Sequence, residues 1–191
     1  MQLEIIEPIL KQIFSPTTIT RKTEDLWQID HDGMTLLIIV SEDRSWLRIL
    51  TTIAPLQDIQ PLLIPILEAN FENTGEIRYA LADNVLWAVY HHRLASLLEI
   101  DFCHAITSLV SLSKQGLSGF FKQLMEKRIL AVIKASKLQG QTKTTTYQNL
   151  ERFYQEGILG GIDQTPEQRE MFLSAWKHQL DQLWDKNTMS N

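Results

Sequence analysis

Three short clusters hold residue types that could do chemistry. Cys103-His104 pairs a thiol with an imidazole, the parts of a nucleophile and its base. Such a pair works only if both side chains converge, and neighbours on a helix diverge by about 100°. A lone thiol is more commonly a small buried hydrophobe, and that is the expectation for Cys103. His91-His92 has metal-binding nitrogens, but adjacent strand residues point to opposite faces and cannot chelate one ion together. Asp30-His31-Asp32 offers hard and borderline ligands, yet the further spaced carboxylates of a calcium loop are missing and the following Gly33 marks a turn. The stretch GILGGID at residues 157–163 lacks the Lys-Ser/Thr of a phosphate loop and the glycine spacing of a dinucleotide turn, so it reads as a connector. The expectation is a protein that is not an enzyme, with no catalytic residue, metal or cofactor.

Charge separates the chain into three parts. Residues 1–120 carry a net of −7, residues 121–150 a net of +5 and residues 151–191 a net of −3. The acidic body should repel nucleic acid and anionic membrane, while the basic segment could dock on either or fold back on the body. Within a helix predicted over 120–138, Lys122, Lys127, Lys134 and Lys137 fall roughly on one side. Phe121, Leu124, Met125 and Val132 are expected on the other. Arg128 falls among the apolar residues and Leu130 and Ile133 among the charged ones, so the amphipathicity is imperfect. Nucleic-acid binding also wants interleaved aromatics, and only Tyr147 is near. Nucleic acid and membrane are therefore secondary partners, kept as the alternative of a regulatory surface binder.

The elements that position these residues follow from periodicity. Hydrophobic residues form 44% of the 191, enough for one buried core. The longest apolar run, residues 34–40, is far short of the roughly 20 needed to cross a bilayer. The N-terminal stretch is acidic and periodic rather than a basic leader with an apolar block. With one cysteine, the expectation is a cytoplasmic protein. Residues 2–14 predict an amphipathic helix strained or restarted at Pro8 and ended by Ser15-Pro16. Strands are predicted at 25–30, 34–40 and 46–53, with Asp32-Gly33 turning the first pair. The run 34–40 predicts a central strand covered on both faces. A helix over 56–70 should begin at Pro61 and bend at Pro65. Asp101 predicts the N-cap of a long helix, weakened at Gly116 and Gly119. Residues 140–146 read as a polar linker, 147–155 as a short helix, and Thr165-Pro166 as the start of a last helix carrying Trp176, Leu180, Leu183 and Trp184.

The segment 77–90 is the most informative. Asp83-Asn84 tolerate the left-handed conformation of a two-residue hairpin, which places Leu81 opposite Leu86, Tyr79 opposite Ala88 and Ile77 opposite Tyr90 on a core face. The other face pairs Ala80 with Trp87 and Arg78 with Val89, with Val85 near. A large aromatic and two valines then stand where polar residues are usual, either covered by another segment or forming a partner surface. Val85, Trp87 and Val89 are the predicted protein-binding residues, with Trp46 a weaker addition.

The order helix, three strands, helix, hairpin, long helix resembles the type III secretion chaperone-like superfamily, including its YbjN-like branch, over residues 1 to about 120. The matching residues are Leu67-Glu68-Ala69-Asn70 closing the middle helix, Gly75 before alternating Ile77, Tyr79 and Leu81, then Asp83-Asn84 and Leu86. Trp27, Asp32-Gly33 and Leu36 fit the first hairpin. The superfamily's usual Asp-Gly turn is Asp83-Asn84 here, and Pro61 and Pro65 are departures. The resemblance implies an α+β domain with about five antiparallel strands over residues 1–120, followed by a helical extension over 121–191. It further implies a non-catalytic, often homodimeric module that binds another protein through exposed apolar patches.

Overall fold

A computed structural model of the chain describes residues 1–14, 18–156 and 166–185. They fall into two compact units, Met1–Phe121 and Lys122–Asn191. The first opens with helix α1 (Ile6–Ile13), where Pro8 lies in the first turn and removes no helical hydrogen bond. Strands β1 (Ile19–Thr23), β2 (Leu26–His31), β3 (Met34–Val40), β4 (Trp46–Pro55), β5 (Arg78–Ala82) and β6 (Val85–Arg93) form one antiparallel sheet in the order β1-β2-β3-β4-β6-β5. The fold is α+β as expected, with six strands rather than five. The unforeseen β1 has a single apolar residue, Ile19, and is defined by its pairing with β2 rather than by any pattern of its own.

Both tight turns use left-handed residues: Asp32 and Gly33 at φ 47° and 79°, Asp83 and Asn84 at φ 51° and 59°. Their twist matches that of the strands they join. The second turn sets the β5–β6 register to Leu81↔Leu86, Ala80↔Trp87, Tyr79↔Ala88 and Arg78↔Val89, as the turn chemistry predicted. One side of the sheet buries Trp27, Ile29, Leu36, Ile38, Leu47, Ile49 and Tyr90 with residues of α1 and of α4 (Glu99–Gln115) in a single core. Strand β3 lies between two strands, but its burial alternates: Leu36, Ile38 and Val40 are buried while Leu37 and Ile39 are only half-buried. The expected cover on both faces is therefore corrected to cover on one.

Three helix boundaries differ from expectation for local reasons. Between β4 and β5, α2 (Leu56–Ile59) and a 3₁₀ turn holding Pro61 precede α3 (Leu63–Glu72). Pro65 thus falls in the first turn of α3 and needs no bend. Helix α4 starts at Glu99 after Leu98, with no side-chain cap, and Asp101 instead lies in the first turn, where a carboxylate favours the positive helix end. Gly116, at φ 56°, ends it.

The second unit contains most of α5 (Ser118–Leu138), together with α6 (Lys143–Gln155) and α7 (Pro166–Trp184). Ile129, Ile133, Leu150, Trp176 and Leu180 form its core. Ile133, assigned to the charged side from sequence, is fully buried, and Phe121, assigned to the apolar side, is 46% exposed. The buried stripe runs through Ile129 and Ile133, one turn apart. The threonines of 140–146 are not a linker but a helix start: Thr142 Oγ1 accepts from the Thr145 N–H at 3.2 Å, and Thr146 is buried inside α6. Ser15-Pro16, the connector at 157–163 and Thr165 lie outside the described residues.

The edge of the sheet at β5 is held from α3. Asn70 accepts from the Tyr79 N–H through Oδ1 at 2.8 Å and donates through Nδ2 to the Tyr79 carbonyl at 3.2 Å. Arg78 donates to the Ile77 carbonyl at 2.7 Å and to the Gly75 carbonyl, fixing the approach to the strand. Replacing Asn70 by leucine leaves both backbone groups of buried Tyr79 without partners. Urea denaturation should show a loss of about 1–3 kcal/mol.

Candidate protein-binding surface

Strand alternation sends the residues between the buried ones to the outer side of the sheet. Cross-strand register then lines up Leu37, Leu50 and Val89 as direct neighbours across β3, β4 and β6. The next row joins Thr52, Trp87 and Ala80, and the row beyond it joins Pro55, Val85 and Ala82. The predicted residues Val85, Trp87 and Val89 thus share one face, all half-buried. Trp87 and Val89 line a depression of about 380 Å³ with Arg48, Leu50, Ala80 and His91. Trp87 Nε1 donates to the Ala82 carbonyl at 3.2 Å, so the indole's polar edge is satisfied within its own hairpin.

Trp46 lies on the same face but in a separate hollow of about 700 Å³ with Ser45, His91, His92, Arg93 and Ala95. The Arg48 guanidinium sits 4.9 Å from its ring centre, and the His91 ring meets it edge-on at 4.9 Å. Burial, and secondly the charge of Arg48, hold the His91 imidazole below its ordinary pKa. Leu37, Ile39 and Leu50 belong to this surface and were not singled out from sequence. The signal for them is the unbroken apolar run of β3, which a doubly covered strand would show equally.

The other chemistry-bearing clusters disperse. Cys103 is half-buried and packs against the core while its neighbour His104 is exposed. His92 stacks on Tyr90 at 5.9 Å, on the side opposite His91. Asp32 pairs with Lys114 at 2.9 Å, which with His31 holds its carboxyl below the usual range. Asp30 accepts from Thr35 at 2.7 Å. Among the described residues no three of His, Cys, Asp and Glu are grouped to hold a metal. Tyr90 is pushed up to about 12 by burial, with Glu76 and Asp101 adding to the shift. In the second unit Lys122, Lys127 and Lys134 are exposed, whereas Lys137 donates to the Trp184 carbonyl at 2.6 Å and lies 5.1 Å over its ring. The basic face therefore spends Lys137 internally. No helix among the described residues is long and apolar enough to cross a membrane.

These elements define an α+β module: an antiparallel sheet with helices against one side and an apolar stripe on the other. No family model and no curated protein matches the chain. Among solved structures it is similar to a chain of the HopA1–SchA chaperone–effector complex, at 13% identity over 59% of this chain and 90% of that one, TM-score 0.47. It is also similar to the Yersinia pestis type III secretion chaperone SycH in complex with a fragment of YscM2, at 17% identity over 59% and 96%, TM-score 0.45. A chain of the ExsC–ExsE complex matches at 11% identity over 58% and 86%, TM-score 0.44. The first of these is a chaperone–effector complex and the second contains a type III secretion chaperone. At such identities the likeness concerns the fold alone.

Two tryptophans separate core from surface. Trp27 is 1% exposed, and Trp27→Ala should cost about 3–5 kcal/mol in chemical denaturation. Trp87→Ala, on the half-buried outer face, should cost less than about 1 kcal/mol and leave the far-ultraviolet circular dichroism unchanged.

Proposed function

We propose that the chain is a non-catalytic, cytoplasmic protein-binding module of the chaperone-like or adaptor kind, in the pattern of the YbjN-like branch, which holds a partner segment on the outer face of its sheet. The observation that carries this reading is the row Leu37, Leu50 and Val89 with Trp87 beside it, on the side turned away from the core. An interface centre favours aromatic and aliphatic side chains, and the row is apolar from β3 to β6 until Arg78 ends it on the edge strand β5. Trp87, Val89 and Val85 are the proposed contacts, with Trp46 at the margin.

Docking of the basic helix on anionic membrane or nucleic acid is the second reading, supported by the exposed Lys122, Lys127 and Lys134. Salt separates the two. For a partner recovered by affinity capture from the native cell, Trp87→Ala should weaken binding at least about tenfold, and wild-type affinity should change little between about 50 and 200 mM salt. A steep fall over that range would move the binding site to the lysines.

The module is further proposed to act as a homodimer. Helix α3 buries Ile66 and Ala69 but exposes Ile64, Leu67 and Phe71, at 70%, 63% and 88%, as one stripe at helical spacing. Two copies can cover this stripe with each other in a self-complementary contact. Sedimentation should give a dimer for the wild type and a monomer for Phe71→Glu; equal masses would remove this part of the proposal.

A further inference from the structure

The outer face of the sheet is not uniform. Beyond the apolar row, Trp46 and Arg48 of β4 lie directly opposite Arg93 and His91 of β6. Each arginine is thus set opposite an aromatic ring rather than a carboxylate, and the two arginines are diagonal neighbours. Among the described residues neither Arg48 nor Arg93 forms an ion pair, and the carboxylate that lines the depression, Asp83, lies at the β5–β6 turn without pairing with Arg48. The cluster is also out of character for its surroundings, since residues 1–120 carry a net of −7. Two guanidinium groups on one sheet face, neither tied to a carboxylate of the chain, present donors to an incoming anion.

The geometry suits an anion of a particular kind. Arg48 stacks on Trp46 at 4.9 Å, which holds the guanidinium plane and leaves its edge of donors to receive a planar carboxylate. His91 lines both hollows, so the cationic end adjoins the apolar depression. An extended segment running along β4 and β6 therefore meets charge at one end and Leu50, Val89 and Trp87 at the other. A long polyanion is disfavoured because the acidic body repels it, whereas a segment with one or two carboxylates is not.

We propose that Trp46, Arg48, His91 and Arg93 form a carboxylate-binding subsite, and that the partner segment held on this sheet is acidic at the end that crosses it and apolar beyond. This rests on the sheet face being the binding surface. The probes are a fluorescein-labelled dodecapeptide of alternating Thr and Val with two alternate Glu residues near one end, its Gln counterpart, and a labelled twelve-nucleotide oligothymidylate. At about 50 mM salt the wild type should bind the Glu peptide about tenfold more tightly than the Gln peptide. The double variant R48Q/R93Q, and more weakly the single R93Q, should shrink that preference towards unity without lowering the melting temperature. Equal binding of the two peptides, a preference retained in R48Q/R93Q, or tighter arginine-dependent binding of oligothymidylate would overturn the subsite. Trp87→Ala separates the two layers of the proposal. If it weakens the Gln peptide while no Glu preference exists, the sheet-face reading stands and the subsite falls. If it changes nothing while the Glu preference still depends on the arginines, the subsite stands and the apolar reading falls.

Discussion

Burial of one side of an antiparallel sheet governs this molecule. Because successive strand residues alternate, Ile49 cannot enter the core without Leu50 leaving it, and Tyr90 cannot without Val89 and His91 doing the same. A slip of one residue would exchange the two sets, so the hydrophobic core pins the register and the register composes the outer face. The apolar row and the cationic cluster are thus by-products of how β4 and β6 pair. They are also permanent ones, since dispersing them would require breaking the core behind them.

What could be read without coordinates follows from how local the determining chemistry is. The β5–β6 hairpin was legible down to its cross-strand pairs because Asp83-Asn84 specify a turn through their own conformational preferences. Strand β1 was not legible: Ile-Thr-Arg-Lys-Thr has no alternation, and only the edge of β2 makes it a strand. Threonine misled at 140–146 because the hydroxyl that breaks a chain in a loop also caps a helix, and only the Thr142–Thr145 contact decides which. Ile133 was misplaced because α5 carries apolar residues on more than one side, so periodicity alone could not choose the face its neighbours bury. The meeting of Arg48, His91 and Arg93 needed the β4–β6 register and could not come from either strand by itself.

The second unit shows why a sequence's charge pattern is a poor guide to docking. Its basic stretch and its acidic stretch meet within the unit: Lys143 pairs with Asp181 at 2.6 Å, raising the lysine's pKa and lowering the aspartate's, and Lys137 reaches the end of α7. Such exposed pairs contribute little stability, and the core of Ile129, Ile133, Leu150, Trp176 and Leu180 is what packs α7 against α5 and α6. A block of positive charge that looks available in one dimension is partly consumed by its own neighbourhood.

The amide of Asn70 imitates the peptide unit of a seventh strand at the β5 margin of the sheet, and the outward groups of Tyr79 are thereby sealed. Fibre growth needs two mating margins, one on each molecule, to repeat without limit. With Tyr79 already occupied, a neighbour's strand arriving at the β5 margin meets a taken pair of groups, and a single side chain works against polymer growth through that margin.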